Sequence, residues 1–342
     1  MKIPSNSLCC RTLFLQAADE GRGPVLFGEN WERSREAVIP FVEGVPFPDV
    51  YLEFPLAGEP FLDTTVLLKK IPAGTRFSSP AAAGTEAILD WYAKARAEND
   101  GISFGYELDG DNPGPGAIHF QSYSQYRLAG EFCEAAGEPE VGRLYQDLAG
   151  RMPEGWPLAF LGMFRGRPGS PLRVCGYVDG DEKKRCAEDP SRMEAVFRQL
   201  GFTAYDAPMI RQLTAVLAAA PEAVDFQLDV YPDGRLGDTF SVDAGFRTMR
   251  QQDALDSFDS GAYAKIMGML EEWGAADSRW KLAAGMCFSR GIPVVDEEGA
   301  DRLLALVISP NWTKARWRGG ALQPSKLYCL VHAELLDPEK KK

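Results

Sequence analysis

Apolar and polar positions alternate along short segments that come in pairs, and amphipathic helical sequence follows each pair. The unit recurs five times, with pairs beginning near Pro48, Ile102, Leu158, Val224 and Asp301. Successive side chains of a strand point to opposite faces. VDFQLDVY therefore sets Phe226, Leu228 and Val230 against Asp225, Gln227, Asp229 and Tyr231. The same split sets Tyr51 and Glu53 against Val50, Leu52 and Phe54, and Asp63, Thr65 and Lys69 against Val66 and Leu68. Ser103 and Glu107 oppose Phe104 and Tyr106, while His119, Gln121 and Tyr123 oppose Ile118 and Phe120.

Hairpins joined through helices predict an antiparallel sheet with helices on one face, unlike the parallel sheet of strictly alternating strands and helices. Five such units can close on themselves. Eight strands are just filled by side chains, whereas ten leave room for a ligand. The expected fold is α+β: an antiparallel ten-stranded β-barrel of five hairpin-helix repeats with helices outside and a polar lumen. The turn Pro232-Asp233-Gly234-Arg235 is the clearest hairpin signal. The fifth unit reads as three segments, RLLALVISP, TKARWRGG and SKLYCLVHAELL, preceded by helix over Ser278 to Cys287. No low-complexity linker divides the chain. Residues 1–46 read as an irregular lead-in with one helix, 47–336 as one barrel domain and 337–342 as a solvated tail.

Composition narrows the partners. Among 342 residues the net charge is −12, so the overall field repels nucleic acid and anionic membranes. No run approaches the ~18 apolar residues of a membrane span. Seven cysteines without a CxxC pair indicate neither a disulfide framework nor a zinc ribbon, and fit reduced thiols in a cytoplasmic protein. His119 and His332 lie far apart, which argues against a histidine-centred triad or zinc site. Neither a GxGxxG after a strand, a Walker loop nor an HExxH is present.

Against this acidic background, Lys69, Arg165, Arg173, Lys314, Arg316, Arg318 and Lys326 fall on strand sequence. Tyr177 follows Arg173 by four residues and Tyr328 follows Lys326 by two, so each cation has a phenol on its own side. Guanidinium and ammonium groups converging from several strands suit a diphosphate, with tyrosine hydroxyls as neutral donors. The same residues also suit the solvated face of an open sheet.

With these features the chain resembles the aromatic prenyltransferases of the ABBA type (the PT barrel), over roughly residues 48–335. YPDGR at Tyr231 to Arg235 is similar to a strand-turn-strand of cyanobactin peptide prenyltransferases, and Lys326-x-Tyr328 to the lysine and tyrosine strand pairs of dimethylallyltryptophan synthases. The resemblance implies transfer of an allylic prenyl group from a prenyl diphosphate to an aromatic small molecule or a peptide. It makes Lys69, Arg173, Lys314, Arg316 and Lys326 diphosphate ligands, assisted by Tyr177 and Tyr328, and Glu53 the carboxylate that takes the acceptor's proton. Tyr123, Tyr231 or Trp317 would shield the allylic cation. In the fourth pair Asp225 and Asp229 stand where an inward cation is expected. They leave two readings open, Mg²⁺ held against the diphosphate or a different ligand.

Two further functions compete: a non-catalytic barrel that binds a ligand or peptide, and an open sheet serving as an interaction module. Convergence of Lys69, Arg173, Lys314 and Lys326 on one anion separates them. The runs Asp109 to Gly116 and Asp179 to Arg185 read as loops at the barrel ends. Trp273, Asp277, Ser278, Arg279 and Trp280 read as a helix joint or cap.

Overall fold

The computed structural model describes residues 3–29, 31–43, 45, 47–68, 85–95, 101–106, 116–121, 126–164, 171–221, 224–246 and 261–337. Five hairpins form the wall: β1 (Asp49–Pro55) with β2 (Asp63–Leu68), β3 (Ile102–Tyr106) with β4 (Ala117–Gln121), β5 (Leu158–Phe164) with β6 (Leu172–Val178), β7 (Val224–Val230) with β8 (Leu236–Gly245), and β10 (Asp301–Arg318) with β12 (Lys326–Leu336). Each strand pairs antiparallel with the next. β10 closes the ring by pairing with both β12 and β8. Ten strands thus make a closed antiparallel barrel, the ABBA architecture, as expected, and the competing open-sheet reading is overturned. Short β9 (Phe288–Val295) and β11 (Ala321–Leu322) pair with β10 outside the ring.

The fifth unit departs from its sequence reading. Pro310 and Asn311 look like a break, yet residues 301–318 form one strand with an irregularity between Pro310 and Trp312. Proline lacks a ladder donor and is tolerated at a bulge. There β10 changes partner, from β9 over 301–308 to β8 over 312–318. The sequence reading also missed β9, whose Gly291 and Pro293 disguise a strand.

Helices α1 (Asn6–Ala18), α2 (Arg22–Phe27), α3 (Trp31–Glu43), α4 (Glu86–Ala95), α5 (Tyr126–Ala135), α6 (Pro139–Ala149), α7 (Gly180–Glu188), α8 (Pro190–Leu200), α9 (Ala207–Ala219), α10 (Ala262–Glu272) and α11 (Arg279–Ala283) lie outside the barrel. The outward row of each strand is apolar and packs on them, burying about 1.5–3 kcal/mol per large side chain. Phe120 stacks on Phe132 of α5, Phe240 meets Phe197 of α8 edge-on, and Phe226 packs on Trp156. The N-terminal segment is three helices rather than an irregular lead-in with one. Its glycines and proline obscured them, and α1 buries Leu13, Phe14 and Ala17. Residues read as a loop from Asp179 form α7, capped by the Asp179 carboxylate accepting from the Glu182 N–H at 2.7 Å.

The Asp277 to Trp280 cluster is a joint, as expected. Arg279 forks onto Asp277 and donates to the Gly58 carbonyl at 2.7 Å, tying α11 to the β1–β2 turn. All seven cysteines are buried. Among the described residues no helix is long and apolar enough to cross a membrane.

Candidate ligand site in the barrel lumen

The lumen holds a cavity of about 470 Å³, within the range of small-molecule sites. Its wall comes from the inward-facing rows: Tyr51 and Glu53, Asp63 and Thr65, His119 and Gln121, Arg173, Asp225 and Gln227, Ser241 and Asp243, Trp312, Lys314 and Arg316, and Lys326 and Tyr328. Gly162 makes room for one of them, since a Cβ there would lie 2.3 Å from His119 Cδ2.

Cross-strand register orders the site into two neighbouring rows. Asp225 faces Asp243, Asp243 faces Lys314 and Lys314 faces Lys326. Beside it, Asp63 faces Glu53, Glu53 faces Tyr328, Tyr328 faces Trp312 and Trp312 faces Gly245. Neighbours in such a row stand about 4.8 Å apart along the hydrogen-bonding direction. Groups distant in sequence therefore become contacts.

Lys314 is the hub. Its ammonium donates to the Tyr328 hydroxyl at 2.9 Å and to Gln227 Oε1 at 3.1 Å, and lies 3.8 Å from Asp243. Gln227 Nε2 donates to Asp243 Oδ2 at 2.6 Å. Burial pushes the Asp243 carboxyl up to about 6 even though Lys314 beside it favours the charged form. Burial pulls Lys314 down against the pull of Asp243, and pushes the Tyr328 phenol well up. Glu53, directly across the ladder from Tyr328, accepts at Oε1 from the Thr65 hydroxyl at 2.5 Å. Lys326 Nζ lies 2.6 Å from Asp63 and 3.9 Å from Glu53.

Tyr51, Trp312 and Tyr328 form an aromatic wall. Ring centroids are 4.6 Å apart for Tyr51 and Trp312, and 5.1 Å for the stacked Trp312 and Tyr328. Arg173 caps Phe164 at 4.5 Å from the ring centroid.

The expected residues separate accordingly. Glu53, Arg173, Lys314, Arg316, Lys326, Tyr328 and Asp225 all line the cavity. Tyr177 shares the inward register, facing Asp225 at the other end of β6 from Arg173. Tyr231 lies at the β7–β8 turn with Arg235 over its ring at 4.6 Å. Trp317 corrects its expectation: the indole is fully buried on the outer face and donates to Gln212 of α9 at 2.9 Å. Period two already forbids Arg316 and Trp317 from sharing a face. Trp312, with the parity of Lys314, is the lumen indole that sequence reading passed over. Lys69, Tyr123, Arg165, Glu107 and residues 109–115 lie outside the described residues.

The Mg²⁺ reading of Asp225 and Asp229 does not fit. Four residues along a strand span about 13 Å, too far for two carboxylates to share one ion at 2.0–2.1 Å. Asp229 is also held by both forks of Arg173, at 2.8 and 3.1 Å. Among the described residues no group of three or more His, Cys, Asp or Glu is placed to hold a metal.

This closed barrel with a polar, ion-lined hollow defines the fold of the ABBA-type aromatic prenyltransferases. Solved structures of that class superpose along nearly the whole chain. The 5-dimethylallyltryptophan synthase from Streptomyces coelicolor matches with a TM-score of 0.53 and 14% identity, covering 96% of this chain and 98% of that one. The prenyltransferase PriB matches with 0.57 and 11%, covering 96% of each, and the NotF prenyltransferase with 0.51 and 9%, covering 97% and 95%. PriB has been solved with L-tryptophan and dimethylallyl thiolodiphosphate. No protein family matches the sequence, and no curated protein does.

Proposed function

We propose that the chain is a prenyltransferase that moves an allylic prenyl group from a prenyl diphosphate to an aromatic or peptide acceptor within the barrel. The observation that carries this reading is the convergence of Arg173, Lys314, Arg316 and Lys326 on one cavity beside an aromatic wall. The allylic C–O bond breaks with its electron pair leaving on the diphosphate. Preorganised cations on the cavity wall stabilise the charge growing there. The faces of Trp312, Tyr328 and Tyr51 stabilise the allylic cation, at roughly 0.5–2 kcal/mol per ring.

A nucleophilic atom of the acceptor then bonds to the allylic carbon, and Glu53 takes the proton released. Thr65 fixes the orientation of that carboxylate through its hydroxyl, and general-base catalysis is worth about 10²–10⁴-fold. Lys69 and Tyr177 are proposed to complete the diphosphate shell. The experiment is calorimetry of the protein with dimethylallyl, geranyl and farnesyl diphosphates, with and without Mg²⁺, followed by product analysis against tryptophan, tyrosine and short peptides. Saturable binding of one donor is expected, and no binding of any donor under either condition would sink the reading.

One observation favours a second reading, a non-catalytic ligand-binding barrel. Arg173, Lys314 and Lys326 each already face a carboxylate within 4 Å. An incoming diphosphate competes with those internal partners. Binding of a ligand without turnover would favour this alternative.

A further inference from the structure

The irregularity in β10 is a bulge with a specific effect on the lumen. Pro310 stands opposite Cys329 and Trp312 opposite Tyr328, so Asn311 is one residue more than β12 requires. A bulge of this kind re-aims a side chain and is frequent beside active sites. Tyr328 belongs to the inward row, so its partner Trp312 turns inward too, and the inserted Asn311 joins it on the cavity wall. The backbone holds the extra residue in place, since the Phe246 N–H donates to the Asn311 carbonyl at 2.7 Å. The ladder itself does not need the insertion. Without Asn311, positions 310 and 312 would follow one another opposite 329 and 328 in unbroken register.

The charged groups of the lumen have partners within the protein. Arg173 is held by Asp229, Lys314 by Tyr328 and Gln227, Lys326 by Asp63, and Glu53 by Thr65. Arg316, Asp63 and Asp225 have further interactions of their own. Among the described residues, by contrast, no hydrogen bond engages the carboxamide of Asn311, which is partly buried on the cavity wall. A carboxamide offers two N–H donors and a carbonyl acceptor side by side. Asn311 also adjoins the aromatic wall, because Trp312 faces Tyr328 and Tyr328 faces Glu53 along a row that runs from β10 over β12 to β1. Two interstrand spacings separate the ends of that row, about 10 Å. A bicyclic aromatic molecule with a short substituent spans it.

We propose that Asn311 is a specificity-determining residue: it hydrogen-bonds a neutral polar substituent of the acceptor and so sets which ring atom lies at the Glu53 end of the row. The inference rests on the prenyl-transfer reading for the role of the bound molecule, but not for its binding. The proton-accepting carboxylate stands at one end of the aromatic wall and the anchoring carboxamide at the other. Loss of the anchor lets the acceptor slide along the wall, which brings a different nucleophilic atom to the allylic carbon.

The test compares isosteric pairs by calorimetry: 3-(indol-3-yl)propanamide with 3-isopentylindole, and 3-(4-hydroxyphenyl)propanamide with 4-isopentylphenol. Within each pair the ratio of the two affinities is read in the parent, in Asn311→Ala and in a variant with Asn311 deleted, so that hydrophobic differences between the probes cancel. For at least one pair the ratio is expected to shift about threefold to tenfold toward the apolar probe in both variants, the worth of one neutral hydrogen bond. Thermal melts confirm folding, and if the deletion variant does not fold, Asn311→Ala decides alone. Ratios unchanged in every folded variant, or no binding of either amide to the parent, would overturn the proposal. Where the parent prenylates an amide probe, Asn311→Ala should redistribute the product among ring positions, and an unchanged distribution overturns it as well. Dimethylallyl diphosphate titrated in parallel keeps the two readings apart. Donor binding with unchanged ratios defeats this inference alone, and a shifted ratio without donor binding defeats prenyl transfer alone.

Discussion

Arg173 and Asp229 grip each other across the β6–β7 ladder through two hydrogen bonds, Nε to Oδ1 at 2.8 Å and Nη2 to Oδ2 at 3.1 Å. The pair has the fork-to-carboxylate geometry that confers strength and direction together. Both side chains keep 16% exposure, so breaking the pair should cost less than the 3–5 kcal/mol typical of a fully buried one. Arg173→Met is expected to lose about 1–3 kcal/mol in urea denaturation. The double variant Arg173→Met with Asp229→Leu should recover most of that stability. Calorimetry should show that it does not recover diphosphate affinity, because only the arginine is assigned to the ligand. Equal recovery of both would mean that Arg173 only balances Asp229.

Glu53 and Tyr328 are assigned different jobs, which kinetics can separate. Glu53→Gln keeps the shape of the carboxylate and removes its basicity. It is expected to lower kcat by about 10²–10⁴-fold, with diphosphate binding unchanged or tighter since a negative charge has left the lumen. Tyr328→Phe removes one partner of Lys314 and should weaken diphosphate binding about twofold to tenfold, the worth of one neutral hydrogen bond. A kcat unaffected by Glu53→Gln would remove that residue from the chemistry.

Two tryptophans five residues apart on β10 should respond in opposite ways. Trp317→Ala empties a fully buried site between barrel and α9 and should cost about 3–5 kcal/mol in chemical denaturation. Trp312→Ala should leave stability closer to that of the parent and abolish ligand-induced quenching of tryptophan fluorescence. If both variants merely destabilise, the lumen role of Trp312 is wrong.

His332 links stability to pH. The Asp49 carboxylate 2.6 Å from Nδ1 holds the imidazole above its ordinary value. A raised folded-state value means the stabilisation is fully present below about 6.5, the unfolded value, and is lost as pH rises through the folded one. His332→Asn should therefore reduce stability at acid pH and converge with the parent at alkaline pH. Titration of the His332 ring by NMR provides the direct check, and a value at or below 6.5 would refute it.

Asp243 has the opposite consequence for an acid. Its folded value of about 6 lies above the ordinary carboxylate range, so the folded state holds the proton more tightly than the unfolded chain. Stability tied to that proton is present at low pH and declines as pH rises from about 4 to 6. Asp243→Asn should be more stable than the parent above pH 6, with the gap closing below pH 4. A constant gap across that range would show that Asp243 does not titrate there.

The order of elements and the identity of the wet face were legible in the sequence because both follow from periodicity. A strand alternates with period two whatever surrounds it, so Leu52 and Glu53, or Phe226 and Gln227, had to part company. Proline in the first turn of α8 and α9, at Pro190 and Pro208, is likewise a local signal of a helix start. Where local signals conflict with tertiary pairing the sequence reading failed. Pro310 looked like a strand end and is a bulge, and Gly291 and Pro293 concealed β9. Alternation alone would also have turned Trp317 outward and Trp312 inward.

What residues across a barrel do to one another depends on register, which no local pattern encodes. That Lys326 meets Asp63 across 263 positions of sequence, and that Arg173 spends its charge on Asp229, follows from how far each strand slides past its neighbour before the ring closes. The sequence by itself determined which side chains face inward, because backbone geometry forces the alternation. Only the closed sheet decided which inward charges meet, because electrostatic energy depends on distances set by the pairing of strands.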